Sequence, residues 1–362
     1  MMFTVNSYVL ITLFFQNILH SKMSTATAHS LQTLCLRYIA DNLHKLCNET
    51  KHVNDGEPYP EFKLSFKTPD TKFYSDLAEQ LLQVVSQRCQ LNDKLLSLFG
   101  DPCVMCLRRA NIKSALLTSR GLKALTCHQL LELDASGVRR VNVNDIIGAL
   151  GEWTRRNIRS LNVSECTFLD KSKFCIVISL RQLRSLRHLN VSYTEFSNQL
   201  GLEYLAEGLP LLESLDISGT LVYSIQPLLR RKHQLKSLCM FQTRVPEKDL
   251  IPVLLELKEL RILDISQDAH PMLDSPHTAN MNVLLQTEGS LPNIISLDIS
   301  GRDNISETAL QCFLKTHETL RFLGLTLTQG TDQHQQPKDI CGEDILVDEC
   351  HQDFKPDLKV GC

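Results

Sequence analysis

The chain has 362 residues, 43% of them hydrophobic, with 38 basic and 41 acidic residues and a formal net charge of −3. That length supports a sizeable core in two or three units, and near-balanced charge without a polybasic run argues against nucleic acid as a partner. Aromatic content is 6% while leucine recurs heavily, a skew toward a repeat protein rather than a mixed enzyme core.

Residues 1–23 are an apolar extension. They contain Tyr8-Val-Leu-Ile-Thr-Leu-Phe-Phe15, a run of signal-peptide length. No Lys or Arg precedes it and no small-residue cleavage site follows. It is also too short to span a bilayer, so no membrane role is expected. Met23 opens a more ordinary polar beginning. The expectation is an upstream extension or an alternative start, with a true signal peptide as the competing reading.

Residues 24–100 read as helical. Over 30–47, Leu31, Leu34, Cys35, Tyr38, Ile39, Leu43 and Leu46 recur at spacings of three and four, the mark of an amphipathic helix. A polar stretch with Pro and Gly, Asn48–Asp70, breaks it. A second helix follows, with Leu77, Leu81, Val84 and Val85 on one side. The plain reading of this segment is a cap over the open face of a repeat array.

Residues 101–328 carry the repeats. Leu130-Leu-Glu-Leu-Asp-Ala-Ser136 recurs in form as Ile158–Ser164, Leu186–Ser192, Leu212–Ser218, Leu260–Ser266 and Ile294–Ser300, with looser copies at Leu235–Phe241 and Leu320–Thr326. The middle leucines fall at 133, 161, 189, 215, 238, 263, 297 and 323, steps typical of leucine-rich repeats apart from one insertion near Gln267–Thr278. Cys103–Ala110 is a candidate degenerate first copy, with Leu107 as its middle leucine. In LxxLxI the fourth and sixth positions point inward and the residues between them face outward. The fold class is therefore α/β: a leucine-rich-repeat solenoid, a curved parallel sheet with outer helices, behind an α-helical segment. Leu250, Val253, Leu254 and Leu257 show helical spacing for one return, and Ala309, Leu310, Phe313 and Leu314 for another, behind an N-cap at Ser306.

Asp134, Asp216, Asp264 and Asp298 stand at outward strand positions and are read as an acidic strip on the concave face, a surface for a protein partner. Asn162, Asn190 and Cys239 interrupt the column and no histidine set joins it, which argues against catalysis or metal binding. The serines that follow the strands are read as satisfying turn backbone groups through their hydroxyls; no GxSxG elbow accompanies them. The 13 cysteines are an odd number scattered through apolar stretches, the pattern of reduced thiols. Cys103 and Cys106 form a CxxC with no second ligand pair, so neither metal nor other cofactor is expected. Residues 329–362 are polar with little apolar periodicity and are expected to form a disordered tail.

Ser30-Leu-Gln-Thr-Leu-Cys-Leu-Arg-Tyr-Ile39 resembles the elongin C binding box, with Ser30, Leu31, Cys35 and Ile39 at the motif's positions. Downstream, Phe73, Leu77 and Leu81 resemble a cullin-2 box, although Tyr74 stands where that motif has proline. With Cys127–Val138, Leu209–Thr220, Leu291–Arg302 and Phe322–Leu325, the chain resembles the Zyg-eleven/Zer-one family of substrate receptors over about Ser30–Thr328. That resemblance implies a non-catalytic recognition subunit of a cullin-2 RING ubiquitin ligase, intracellular in the cytoplasm or nucleus. It would be docked to elongin C (with elongin B) and cullin-2, and would bind a protein substrate. The family's C-terminal helical array, with its pocket for N-terminal glycine degrons, matches no residue here, so a truncated receptor is the expectation. Two alternatives stay open: a repeat scaffold with no ligase link, and a secreted protein, prompted by the apolar start and by Asn-x-Ser/Thr sites at Asn48, Asn162, Asn190 and Asn304.

Overall fold

A computed structural model describes residues 31–52, 61–68, 71–167, 179–197, 201–267, 281–302, 305–325 and 346–348. The apolar run at 8–15, Ser30, most of the insertion near Gln267–Thr278, Asn304 and most of the tail lie outside the described residues. Two compact units divide the chain, Met1–Leu186 and Arg187–Cys362.

The described residues of the first unit start with helix α1 (Leu31–Asp41) and the single turn α2 (Leu43–Leu46). The Asn42 side-chain amide donates to the Tyr38 carbonyl at 2.9 Å and closes the end of α1. A hairpin follows, β1 (Cys47–His52) paired antiparallel with β2 (Glu61–Phe66). The stretch Asn48–Asp70 breaks the helix as expected, but it brings strand pairing into a segment read as helical. Gly56, Pro58 and Pro60 lie between the two strands, whereas Phe62-Lys-Leu-Ser-Phe66 alternates with the period of a strand.

Helix α3 (Ser75–Arg88) buries Ala78, Leu81, Leu82 and Val85 completely, each leucine contributing about 1.5–3 kcal/mol. The buried face is turned from the expected one, leaving Leu77 and Val84 half-buried at its margin. Gln32 bonds Gln80 at 2.8 Å, and Arg88 reaches Asp41 through two 2.7 Å bonds. Both contacts advance along the two helices together, so α1 and α3 run parallel, with the hairpin returning the chain between them.

After the short helix α4 (Asp93–Leu96), the repeats begin with β3 (Arg109–Asn111) and β4 (Glu132–Asp134). The return through α5 (Val143–Gly148) and α6 (Glu152–Asn157) leads to β5 (Ser160–Asn162). Register pairs Ala110 with Leu133 and Leu133 with Leu161. The first copy is thus Leu107-Arg-Arg-Ala-Asn-Ile112, and Ala110, not Leu107, holds its middle position. Leu107 is fully buried one strand step earlier. Buried His128 seals the return: its Nδ1 accepts the Leu107 N–H at 3.3 Å, which leaves Nε2 to donate to the Phe99 carbonyl at 2.5 Å.

The second unit has a parallel ladder of its own, through β6 (His188–Asn190), α7 (Glu203–Gly208), β7 (Ser214–Asp216), β8 (Ser237–Cys239), α8 (Glu247–Glu256) and β9 (Ile262–Asp264). Then come α9 (Asn282–Gln286), β10 (Ser296–Asp298), α10 (Glu307–Thr316) and β11 (Phe322–Gly324). Leu189, Leu215, Leu238, Leu263, Leu297 and Leu323 are in register and at most 2% exposed. Helix α8 buries Leu250, Val253 and Leu254, and Ser306 caps α10 by accepting the Ala309 N–H at 3.2 Å, both as the spacing predicts. One strand falls within the segment expected as a disordered tail: β12 (Leu346–Asp348) pairs in parallel with β11, where Ile345-Leu-Val347 interrupts the polar composition.

The turns after six of the strands share a construction. The side-chain oxygen of Asp134 or Asn162, and in the second unit of Asn190, Asp216, Asp264 or Asp298, accepts the N–H of the serine two residues on, at 2.8–3.0 Å. The serine backbone is thus held by the preceding side chain, while the hydroxyls differ: the Ser218 hydroxyl accepts the Phe241 N–H at 3.2 Å, as expected of a turn serine, the Ser266 hydroxyl donates to Asp264 at 2.5 Å, and the Ser136 hydroxyl finds no partner among the described residues. Gly137, Gly219 and Gly301 then take a left-handed turn. A Cβ on Gly301 would stand 1.9 Å from the Gln267 carbonyl oxygen, so no other residue fits there.

Candidate functional site

Helix α1 presents two faces. Leu36, Ile39 and Ala40 are buried. Leu31 is 51% exposed, and Leu34, Cys35 and Tyr38 are half-buried beside it. Residues at i, i+3, i+4 and i+7 share one stripe, so these four form an apolar ridge reaching solvent. The expected elongin C contacts are thus split. Leu31 and Cys35 face outward, Ile39 anchors the helix to its own unit, and Ser30 lies outside the described residues. Burial raises the Cys35 thiol pKa; the side chain stays protonated at neutral pH and acts as a small apolar contact.

The expected cullin contacts divide in the same way. Phe73 is buried, stacked in a tilted geometry 5.5 Å from Phe66, and donates its N–H to the Val104 carbonyl at 2.8 Å. Leu81 is fully enclosed and Leu77 is half-buried. The cause is that α3 packs on both α1 and β3, so its central leucines serve the core. Tyr74, 73% exposed, precedes the helix with φ −65°, the value to which proline is confined.

Glu79 was missed in the sequence. Along the first unit the Arg108 carbonyl accepts the N–H groups of Leu131 and Glu132, and the Leu131 carbonyl those of Arg159 and Ser160. At the open edge of the ladder no such carbonyl precedes β3 among the described residues. There Glu79 Oε1 accepts the N–H of Arg108 and of Arg109, each at 3.0 Å, and Oε2 accepts from the Arg109 guanidinium at 2.9 Å. Helix α3 thereby closes the array with a side chain in the role of a strand. No local signal in the sequence marks Glu79, because its role exists only once the strand edge is formed.

The four aspartates are half-buried and each is engaged in its own turn, so the acidic strip is first of all a row of turn caps. Asp264 lies in register between Cys239 and Asp298. Burial pushes its pKa up to about 6; neighbouring Asp298 and Asp216 add to the rise, and the Ser266 bonds oppose it. Among the described residues no group of three or more His, Cys, Asp and Glu side chains could hold a metal ion. Cys103 is exposed and Cys106 half-buried, both free thiols. No described helix is long and apolar enough to cross a membrane.

Residues 221–321 match the family described as Zer-1-like, leucine-rich repeats. The proteins named "Protein zer-1 homolog" from Homo sapiens and Pongo abelii are each 25% identical over 301 residues. The alignment covers 77% of this chain and 38% of theirs, so the chain spans well under half the length of the curated relatives it matches. Among solved structures, an internalin from Listeria monocytogenes aligns over 95% of this chain and 96% of its own, with 14% identity and a TM-score of 0.46. The Drosophila Toll–Spatzle complex aligns over 70% of this chain and 30% of that one, with 16% identity and a TM-score of 0.37.

Proposed function

We propose that this chain, whose residues 221–321 match the Zer-1-like leucine-rich repeats and which is 25% identical to the zer-1 homologs, is a non-catalytic substrate-recognition or adaptor subunit of a cullin-2 ubiquitin ligase. In this reading elongin C, with elongin B, takes the outward ridge of α1, and cullin-2 takes the neighbouring surface around Leu77 and Tyr74. The repeats bind a protein substrate.

The observation that carries the reading is the ridge itself. Leu31, Leu34, Cys35 and Tyr38 remain at the surface of a helix whose other face is already packed. An amphipathic helix that also offers apolar side chains to solvent suits a partner that receives a helix in a groove. The parallel neighbour α3 holds α1 through the Asp41–Arg88 pair, so the ridge is pre-organised. The ordinary roles of Ile39 and Leu81 in the core are compatible with it, because a docking helix must be held from behind.

The described cysteines are free thiols, which suits a reducing compartment and hence the cytoplasm or nucleus. The half-buried Asn162 and Asn190 amides, bound into their turns, leave little room for glycans and weigh against the secreted reading. The second reading, a repeat scaffold with no ligase link, draws on Glu79: the helical segment has a purely structural duty as the end cap. Co-expression with elongin B and C separates the two. Stable co-purification that Leu31→Glu abolishes supports the ligase reading, and failure of the unaltered chain to retain elongin C supports the scaffold.

A further inference from the structure

We propose that a basic cleft in the first unit binds an extended acidic peptide segment of a protein partner, at a site distinct from the α1 ridge. The cleft has a volume of about 780 Å³ and lies between β2, α4 and the turn that follows β3. Lys63, Lys94, Arg120, Lys123 and Arg140 line it, against one acid, Asp93. That acid is already committed. Its oxygens accept the Thr118 N–H at 2.8 Å and the Thr118 hydroxyl at 2.6 Å, and Gly121 lies so close that a Cβ there would stand 2.0 Å from the carboxylate. Lys94 is paired with Glu49 at 2.5 Å. Lys123 and Arg140 are exposed and make no ion pair among the described residues. Several cations converging on one concavity focus a positive potential that the chain's overall charge of −3 conceals.

Two further features select a peptide. Phe62 and Leu116 each stand 40% exposed in the cleft wall, an apolar floor for an aliphatic side chain. Strand β2 also offers a backbone edge. Leu64 turns its N–H away from β1 to the Ser97 hydroxyl at 3.0 Å. In an antiparallel pair alternate residues face the same way, so the N–H and C=O of Phe62 also turn away from β1, on the side of the cleft. An incoming strand would pair there and set its carboxylates against Lys123 and Arg140, the strand-addition mode of recognition. A membrane surface would meet the rim of a concavity rather than its floor. A nucleic acid would want stacked aromatic platforms, and Phe62 is the sole aromatic among the described residues of the wall.

The test uses the full chain and a short fluorescein-labelled peptide of alternating Asp and Leu, with an Asn-for-Asp copy as control, read by fluorescence anisotropy. The expected result is micromolar binding of the acidic peptide alone. It should weaken with salt and fall about tenfold or more in Lys123→Glu/Arg140→Glu. Phe62→Ala should weaken it further without touching the charges. Because both cations are exposed, the melting temperature should stay unchanged. If charge reversal lowers it, Lys123→Gln/Arg140→Gln must give the same loss of binding with the fold intact. Binding that survives these substitutions, equal binding of the Asn copy, or preferential capture of oligouridylate or phosphatidylserine vesicles by the same residues would overturn the proposal.

Discussion

Glu79 and Arg109 are joined twice: the carboxylate accepts the Arg109 backbone N–H at 3.0 Å through one oxygen and its guanidinium at 2.9 Å through the other. The Arg108 N–H is bonded alongside, so one side chain satisfies an edge that would otherwise invite pairing with another chain. Glu79→Ala should cost about 1.5–3 kcal/mol, the worth of hydrogen bonds to a charged group. Hydrogen exchange at Ala110 should accelerate before exchange deeper in the first unit. Denaturation midpoints equal to those of the unaltered chain would show that α3 does not cap the array through this residue.

The split between Leu31 and Ile39 predicts two different phenotypes for one motif. Leu31→Glu, at a half-exposed site, should leave stability within about 0.5 kcal/mol and abolish retention of elongin C. Ile39→Ala should lower stability by about 2–4 kcal/mol through the cavity it leaves and reduce docking only as the fold weakens. Urea denaturation and pull-down on both variants decide the matter; loss of folding in Leu31→Glu would contradict the outward placement of that side chain.

Tyr74→Pro should be tolerated. Tyr74 already has φ −65° and its N–H makes no backbone hydrogen bond among the described residues. Phe73 before it is held in a strand-like bridge with Met105, as the residue before a proline requires. The expected gain is about 0.4–1 kcal/mol from a stiffer unfolded chain, with stronger retention of cullin-2. A destabilised variant would mean that the N–H or the ring of Tyr74 contributes more than its exposure suggests.

Asp264 and His128 predict opposite responses to acid in the two units. The folded-state pKa of Asp264 lies near 6, above the ordinary aspartate value. The folded chain therefore holds the proton more tightly, and the penalty for ionising it grows as pH rises from about 4 through about 6. Asp264→Asn should stabilise the second unit at pH 7.5 by about 1–3 kcal/mol, since Asn serves the same turn at Asn162 and Asn190. It should also flatten the pH dependence between those limits. His128 is the reverse case. Burial lowers its pKa, with the bond to the Phe99 carbonyl opposing, so its stabilisation is present above the ordinary histidine pKa and is lost as pH falls below it. Hydrogen exchange at pH 7 and 5 should show residues around Leu107 and Leu130 loosening while those around Leu263 tighten. The same direction of change at both places would refute the assignment.

The repeat was legible in the sequence because its signal is local and redundant. Each copy places leucine or its equivalent at the fourth position of a short strand, and period-two alternation leaves those side chains no destination but the interior. The helix at Leu31–Asp41 and the Ser306 cap were legible for the same reason: spacing and capping chemistry act within a few residues. Tertiary structure alone decided what each apolar helix face would meet. Periodicity grouped Leu31 with Ile39 and Leu77 with Leu81, but burial depends on which neighbours arrive, and α3, packed between α1 and β3, took Leu81 inward and left Leu77 at the margin. The hairpin over Cys47–Phe66 was masked by the Pro and Gly between its strands. Glu79, and the convergence of Lys123 and Arg140 with residues of β2 and α4, had no sequence signal at all, because hydrogen bonds to a strand edge and the summed field of distant cations are properties of groups brought together across long separations, where no local pattern records the meeting.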